Sequence, residues 1–145
     1  MIDYIISTDP SRFDIGLIHR FLSEESYWAK GVPRDVVERA FSNSINFGVF
    51  HAVDGQVGYA RVVSDHATFA YLADVFVLES HRGKSLSKIL IKAVLAHPEL
   101  QGLRRWALAT RDAHDLYRQF GFTLPKVDNR FMERVDPEVY LHAKG

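Results

Sequence analysis

The chain has no cysteine among its 145 residues. That excludes disulfides, thiolate nucleophiles and cysteine-ligated zinc, while leaving the redox compartment open. Neither charge is in surplus: 18 basic and 18 acidic residues give a formal net charge of zero. No Lys/Arg run exceeds two residues. Nucleic acid and anionic membrane surfaces both call for basic patches, so no nucleic-acid and no membrane partner is expected. No apolar run approaches the length of a membrane span, and Met1-Ile2-Asp3-Tyr4 lacks the basic and apolar regions of a secretion signal. The default expectation is cytoplasmic. Repeats, low-complexity segments and linkers are also missing. The histidines (His19, His51, His66, His81, His97, His114 and His142) show no paired spacing such as H-x-x-x-H, and no metal is expected.

What is present is ordinary globular composition, 47% hydrophobic and 25% charged. A chain of this length buries a real core, and residues 1–145 are expected to form one domain. Tyr4-Ile5-Ile6 reads as a first strand, ending at Thr8-Asp9-Pro10. Ser11 with Asp14 three residues on fits a capping box, and Ile15, Ile18 and Leu22 mark a helix to about Glu25. Pro33 suits the first turn of a second helix with Val36, Val37, Ala40 and Phe41 inside. Ile45–Val53 and Gln56–Val63 read as a hairpin about Asp54-Gly55. Ser64-Asp65-His66 turns the chain into a strand over Thr68–Leu78. A further helix follows, beginning near Lys84, with Leu86, Ile89, Leu90, Ala93 and Val94 as one apolar stripe. Leu103–Ala109 is a strand and Asp112–Phe120 a short helix ended by Gly121. Phe122-Thr123-Leu124 and Phe131–Val135 are expected as closing strands. This order predicts a mixed α/β (α+β) fold, a mostly antiparallel sheet flanked by helices, with one parallel β-α-β unit.

That unit surrounds the turn Arg82-Gly83-Lys84-Ser85. Free N–H groups at a helix start, with two cations beside them, attract phosphate. A nucleotide P-loop fails here, because the opening glycine of G-x-x-x-x-G-K-[ST] falls on Leu78. Ser85-Leu86-Ser87-Lys88 matches S-x-x-K, but the companion motifs of that serine-nucleophile class are missing.

The segment Asp74-Val75-Phe76-Val77 followed by His81-Arg82-Gly83-Lys84-Ser85-Leu86-Ser87-Lys88 resembles the coenzyme A pyrophosphate loop of the GCN5-related N-acetyltransferases, the GNAT family. The family pattern is Arg/Gln-x-x-Gly-x-Gly/Ala. Arg82 and Gly83 match it, while Ser85 and Ser87 stand at the later small positions. Helical dihedrals suit serine, so the turn is expected to survive. The element order is also the family's, so the resemblance spans most of the chain.

The resemblance implies acetyl-CoA as cosubstrate, lying where neighbouring parallel strands splay near Val77 and Thr110. Arg82, Gly83, Lys84, Ser85, Leu86 and Ser87 would hold the pyrophosphate. Val75, Phe76 and Val77 would hold the pantetheine and the thioester carbonyl, with Thr110 and Asp112 beside them. An N–H aimed at the thioester oxygen stabilises the oxyanion. Tyr117, at the family's position for the thiolate-protonating acid, is the first catalytic candidate; on stripe position alone it would pack beside Ala113, Leu116 and Phe120. The attacking amine must be neutral, and at pH 7 only about one lysine-like amine in a thousand is. Asp74 is the candidate base; alternatively it caps a turn or pairs with an arginine. Its side chain is expected opposite to that of Val75. Tyr27, Trp28 and Arg34 lie where the family's acceptor site is lined, and Tyr59 and Arg61 are further pocket candidates or ordinary strand positions. Aromatic faces receive an ammonium, and Arg34 could clamp a carboxylate. His81 and His114 are expected in solvent. The implied reaction is transfer of acetyl to a primary amine of a small or amino-acid-like acceptor by direct attack. The alternative is a non-catalytic acyl-CoA or ligand-binding domain. A bare sheet edge would allow a homodimer.

Overall fold

The computed structural model describes residues 3–142, apart from the side chains of Asp128 and His142. Five strands form one sheet in the order β1-β2-β3-β4-β5. They are β1 (Tyr4–Ser7), β2 (Ile45–His51), β3 (Gly55–Ser64), β4 (Phe69–Val77) and β5 (Arg105–Leu108). The first three pairings are antiparallel and β4–β5 is parallel. The crossover between β4 and β5 is α3 (Leu86–Ala96). The helices α1 (Ile15–Arg20), α2 (Arg34–Ser42), α4 (His114–Arg118) and α5 (Val139–His142) complete the set.

The core is split by the sheet. On one face α3 inserts Leu86, Leu90, Ile91 and Val94 among Phe47, Val49, Val57, Val62 and Leu72. On the other, Ile18, Phe21, Leu22 and Val37 close over Tyr59 and Phe76, with Phe21 stacked on Phe76 at 3.9 Å between ring centroids. Ile91, not Ile89, belongs to the inner stripe: Ile89 is 47% exposed. The helix begins at Leu86 rather than Lys84.

The cap of the first helix and the two closing strands are also corrected. Asp14, not Ser11, caps α1, its side chain accepting from Leu17 N–H at 3.0 Å. The helix does reach Glu25, its last turn widening to a π-turn over Phe21–Glu25. Phe122–Leu124 and Phe131–Val135 form no strands. Gly121, at φ +90°, turns the chain away from β5, and Pro125 has no N–H to give to a ladder.

Two breaks in register matter for the site. On β3, Tyr59 pairs with Phe76 and Arg61 with Ala73, so Ala60 faces both Asp74 and Val75. This bulge shifts the strand's phase. Leu72 and Phe76, four residues apart, would share a face in a regular strand, yet they belong to opposite cores. The second break is the end of the β4–β5 ladder at Leu72 and Leu108. From Ala73 onward, the β5 side of β4 has no strand beside it among the described residues.

Candidate active site

The bulge is built on strain. Asp74 has φ +54°, a left-handed conformation that costs a non-glycine residue roughly 1–2 kcal/mol. Its carboxylate repays some of that cost through two donors. Trp28 Nε1 donates to one oxygen at 2.8 Å, and Arg61 Nε to the other at 2.8 Å. Arg61 also donates to Ser44 Oγ at 3.2 Å. The pair is largely buried, its side chains 20% and 11% exposed for Arg61 and Asp74. As expected, Asp74 points opposite to Val75: Val75 packs against the core on the α3 face, while the Asp74 carboxylate turns to Trp28 and Arg61.

Trp28 reaches Asp74 because the loop after α1 is pinned. Ser26 is buried; its Oγ donates to Leu22 O at 2.6 Å and accepts from Ala29 N–H at 3.1 Å. His19 Nε2 bonds Val32 O at 3.0 Å. Next to Trp28, Tyr27 Oη accepts from Arg111 N–H at 2.9 Å. The Arg111 guanidinium lies 3.8 Å from the Tyr27 ring centroid, a cation–π stack. The Tyr27-Trp28 loop thus spans the cleft, one residue held by β4 and the other by the segment after β5.

The cleft beneath has a volume of about 640 Å³ and is lined by Tyr27, Trp28, Tyr59, Arg61, Asp74 and Tyr117 among others. A second cleft of about 790 Å³ lies along β5 and α4, with Trp106, Phe120 and Phe131 in its walls. The two share Tyr71, Leu108, Ala109, Thr110 and Tyr117. Their junction is where β4 and β5 part. Tyr117 is 8% exposed, and burial, with Tyr27 and Asp112 nearby, pushes its phenol up to about 12. Thr110 Oγ1 accepts from Ala113 N–H at 3.1 Å, just ahead of α4. Tyr59, buried and donating to Asn46 Oδ1, has its phenol held far above the ordinary range by burial.

The structure does not bring every candidate together. Arg34 pairs with Glu38 at 3.1 Å, both side chains about half exposed, and it is not among the cleft's lining residues. Arg82–Ser85 form an exposed turn outside both clefts, at the head of α3, whose first residue Leu86 is buried. Arg82 turns its Nε back to Val77 O at 2.9 Å, tying the turn to the end of β4. Gly83 has φ +81° and Ser85 φ +61°. The expected helical dihedrals at Ser85 are therefore overturned: this serine occupies a left-handed position that glycine fills without strain. His81 is also not in solvent but 6% exposed. Arg111 was missed by sequence reasoning; its only signal was a position just past the end of β5.

The model for the Acetyltransferase (GNAT) family matches residues 17–122. A Gibberella zeae protein named as an acetyltransferase is 33% identical over 137 residues, covering 79% of this chain and 76% of its own. A crystal structure of a GNAT-family protein from Xanthomonas campestris pv. campestris is 57% identical, with a TM-score of 0.90 over 94% of this chain and 96% of that one. The chain belongs to the GNAT acetyltransferase family, whose cosubstrate is acetyl-CoA. Its five-stranded mixed sheet flanked by helices is the fold of that family. A GNAT acetyltransferase from Elizabethkingia anophelis, solved with acetyl-CoA bound, shares this fold at a TM-score of 0.64 and 12% identity, over 87% of this chain and 80% of that one.

Proposed function

We propose that residues 1–145 work as one acetyl-CoA-dependent N-acetyltransferase unit acting on the primary amine of a small or amino-acid-like acceptor. The observation that carries this reading is the junction of the two clefts at Tyr117, beside a β4 edge that no strand covers among the described residues. The uncovered edge of β4 at Val75, Phe76 and Val77 suits the thioester carbonyl and pantetheine, and the turn Arg82–Ser87 suits the pyrophosphate. Thr110 and Asp112 flank the reacting end.

In this scheme the acceptor nitrogen attacks the thioester carbon, and the carbonyl electrons move onto oxygen against the β4 amides. The tetrahedral intermediate collapses, expelling the coenzyme A sulfur, and the nitrogen loses a proton. Tyr117 donates to the departing sulfur. With its phenol near 12, complete transfer to a thiolate of pKa about 8.5 is uphill. Donation is therefore concerted with bond breaking, and the ammonium proton replaces the one given up.

The cleft under the Tyr27-Trp28 loop suits the acceptor. Its aromatic walls receive an ammonium, and Asp112 lines it without an ion-pair partner among the described residues. Before attack, Asp74 takes one proton from the incoming ammonium, directly or through water, and passes it to solvent; the second nitrogen proton is the one that returns to Tyr117. Arg34, on the outer end of α2, contributes at most at the mouth of the site. We also place the protein in the cytoplasm, consistent with no described helix being long and apolar enough to cross a membrane. A homodimer through the uncovered outer edge of β5 belongs to the same reading; sedimentation velocity should report twice the monomer mass.

The test begins with calorimetric titration of acetyl-CoA and free coenzyme A, followed by a panel of amines. Released thiol can be read directly with a thiol-reactive dye, since the protein contains no cysteine. Micromolar cosubstrate binding with amine-dependent thiol release is the expected result. Binding with no turnover on any amine would instead support the non-catalytic ligand-binding alternative. No binding of either ligand would end the acetyltransferase reading.

A further inference from the structure

Away from both clefts, three side chains with metal-binding atoms converge at one end of the sheet. His51 closes β2, Asp54 sits in the turn to β3, and His81 ends the short 3-10 turn Glu79–His81, directly before Arg82. Their donor atoms all lie within 4.8 Å of one another. His81 Nε2 is 2.9 Å from Asp54 Oδ2, and His51 Nδ1 is 3.7 Å from the same oxygen. The two imidazole rings are 5.0 Å apart between centroids.

We propose that His51, Asp54 and His81 form a zinc-binding site with an open fourth position for water. Two histidines and one carboxylate are a donor set that suits Zn²⁺. Tetrahedral zinc with bonds of about 2.1 Å spaces its ligand atoms roughly 3.4 Å apart, and the observed separations fall on either side of that value. His81 is buried, and its other nitrogen, Nδ1, lies 2.7 Å from Tyr4 Oη. With Nδ1–H donating to that hydroxyl, Nε2 presents its lone pair to the ion, and Tyr4 fixes the ring from behind. His51 Nδ1 accepts long N–H bonds from Val53 at 3.2 Å and Asp54 at 3.1 Å. It therefore carries no proton and has a lone pair directed at the turn. Binding puts the ion between His81 Nε2 and Asp54 Oδ2 and takes the single Nδ1 lone pair of His51 from the two amides, whose N–H groups then turn to solvent.

The site joins β1, the β2–β3 turn and the residue that precedes the phosphate-attracting turn. A bound ion would therefore tie the β2–β3 hairpin to the base of Arg82–Ser87, with Tyr4 of β1 behind His81. The sequence hides the site because Asp54 and His81 are 27 residues apart, and only the fold brings them together.

The test is calorimetric titration of ZnCl₂ into the full chain after chelator treatment, paired with thermal melts. One equivalent of zinc is expected with micromolar or tighter affinity, raising Tm by an amount that grows with zinc concentration. His51→Ala and Asp54→Ala should each weaken binding at least tenfold. Both positions are more exposed than His81, so these variants are expected to fold, and circular dichroism checks this. His66→Ala, which removes a surface pair with Glu99, should bind as the parent does. Mg²⁺ should give no heat. Absent saturable zinc binding in the parent, or binding that survives both site substitutions, would overturn the proposal.

Discussion

At the scale of single residues, three positions carry the chemistry and the strain. Tyr117→Phe removes one hydroxyl from a buried ring, so the fold and the cosubstrate affinity should hold. Loss of the general acid should lower kcat by about 10²-fold or more. Steady-state kinetics beside acetyl-CoA titration check this, and a variant with parental kcat would reduce Tyr117 to packing against Phe122. Asp74→Asn keeps the side chain's size but loses its charge, and it can no longer accept from both Trp28 and Arg61. If Asp74 takes the amine's proton, kcat/KM should fall about tenfold or more near pH 7, and the deficit should shrink as pH rises and the free amine becomes neutral. A deficit that stays flat with pH would mean that Asp74 only holds the Trp28 loop in place. Ser85→Gly acts on strain instead. Serine at φ +61° costs roughly 1–2 kcal/mol, partly offset by the entropy glycine loses on folding. A net gain of about 1 kcal/mol is expected, seen as a Tm rise of about 2–4 °C. Cosubstrate affinity should not fall, because a missing Cβ only opens the turn.

At the scale of elements, periodicity in the chain revealed most of the framework. The apolar stripe of α3 and the alternation of β2 and β3 are local patterns, and the parallel unit follows from their order. α3 is the element whose loss should be most costly, since it packs on β2, β3 and β4 together. Leu90 is fully buried in that contact, so Leu90→Ala should destabilise by about 2–5 kcal/mol in urea melts, with little change in the m-value. The β4 bulge was not legible. Ala-Asp-Val reads as ordinary strand, and the extra residue shows only against its partner Ala60. The same holds for the end segment, where Phe131 and Val135 alternate like a strand. Phe131 instead lies against Arg105, 5.4 Å from guanidinium to ring centroid, without a ladder. Tyr27-Trp28 and Tyr117 could be named from the sequence, but their meeting across the cleft depends on Arg111 and Asp74, which lie far along the chain.

At the scale of the whole molecule, the sheet separates two cores, and the two clefts meet at one buried phenol. Burial of that phenol links the site to global stability. In the unfolded chain tyrosine ionises near pH 10, whereas Tyr117 in the folded protein ionises near 12. Between those values the unfolded state has lost its proton and the folded state has kept it, so stability falls as pH rises. The contribution is intact below pH 10 and diminishes through the window up to 12. Tyr59, shifted upward by burial as well, adds to the same slope. Unfolding by urea at pH 8 and pH 11 should therefore show a marked alkaline loss in the parent. Tyr117→Phe cannot ionise in either state and should escape roughly 1–2 kcal/mol of that loss at pH 11. Equal alkaline losses in the two proteins would mean that water reaches the phenol from the cleft and that its proton is easier to remove. A phenol nearer 10 would still be a weaker acid than a thiol of about 8.5, so donation would stay concerted but with a smaller uphill gap.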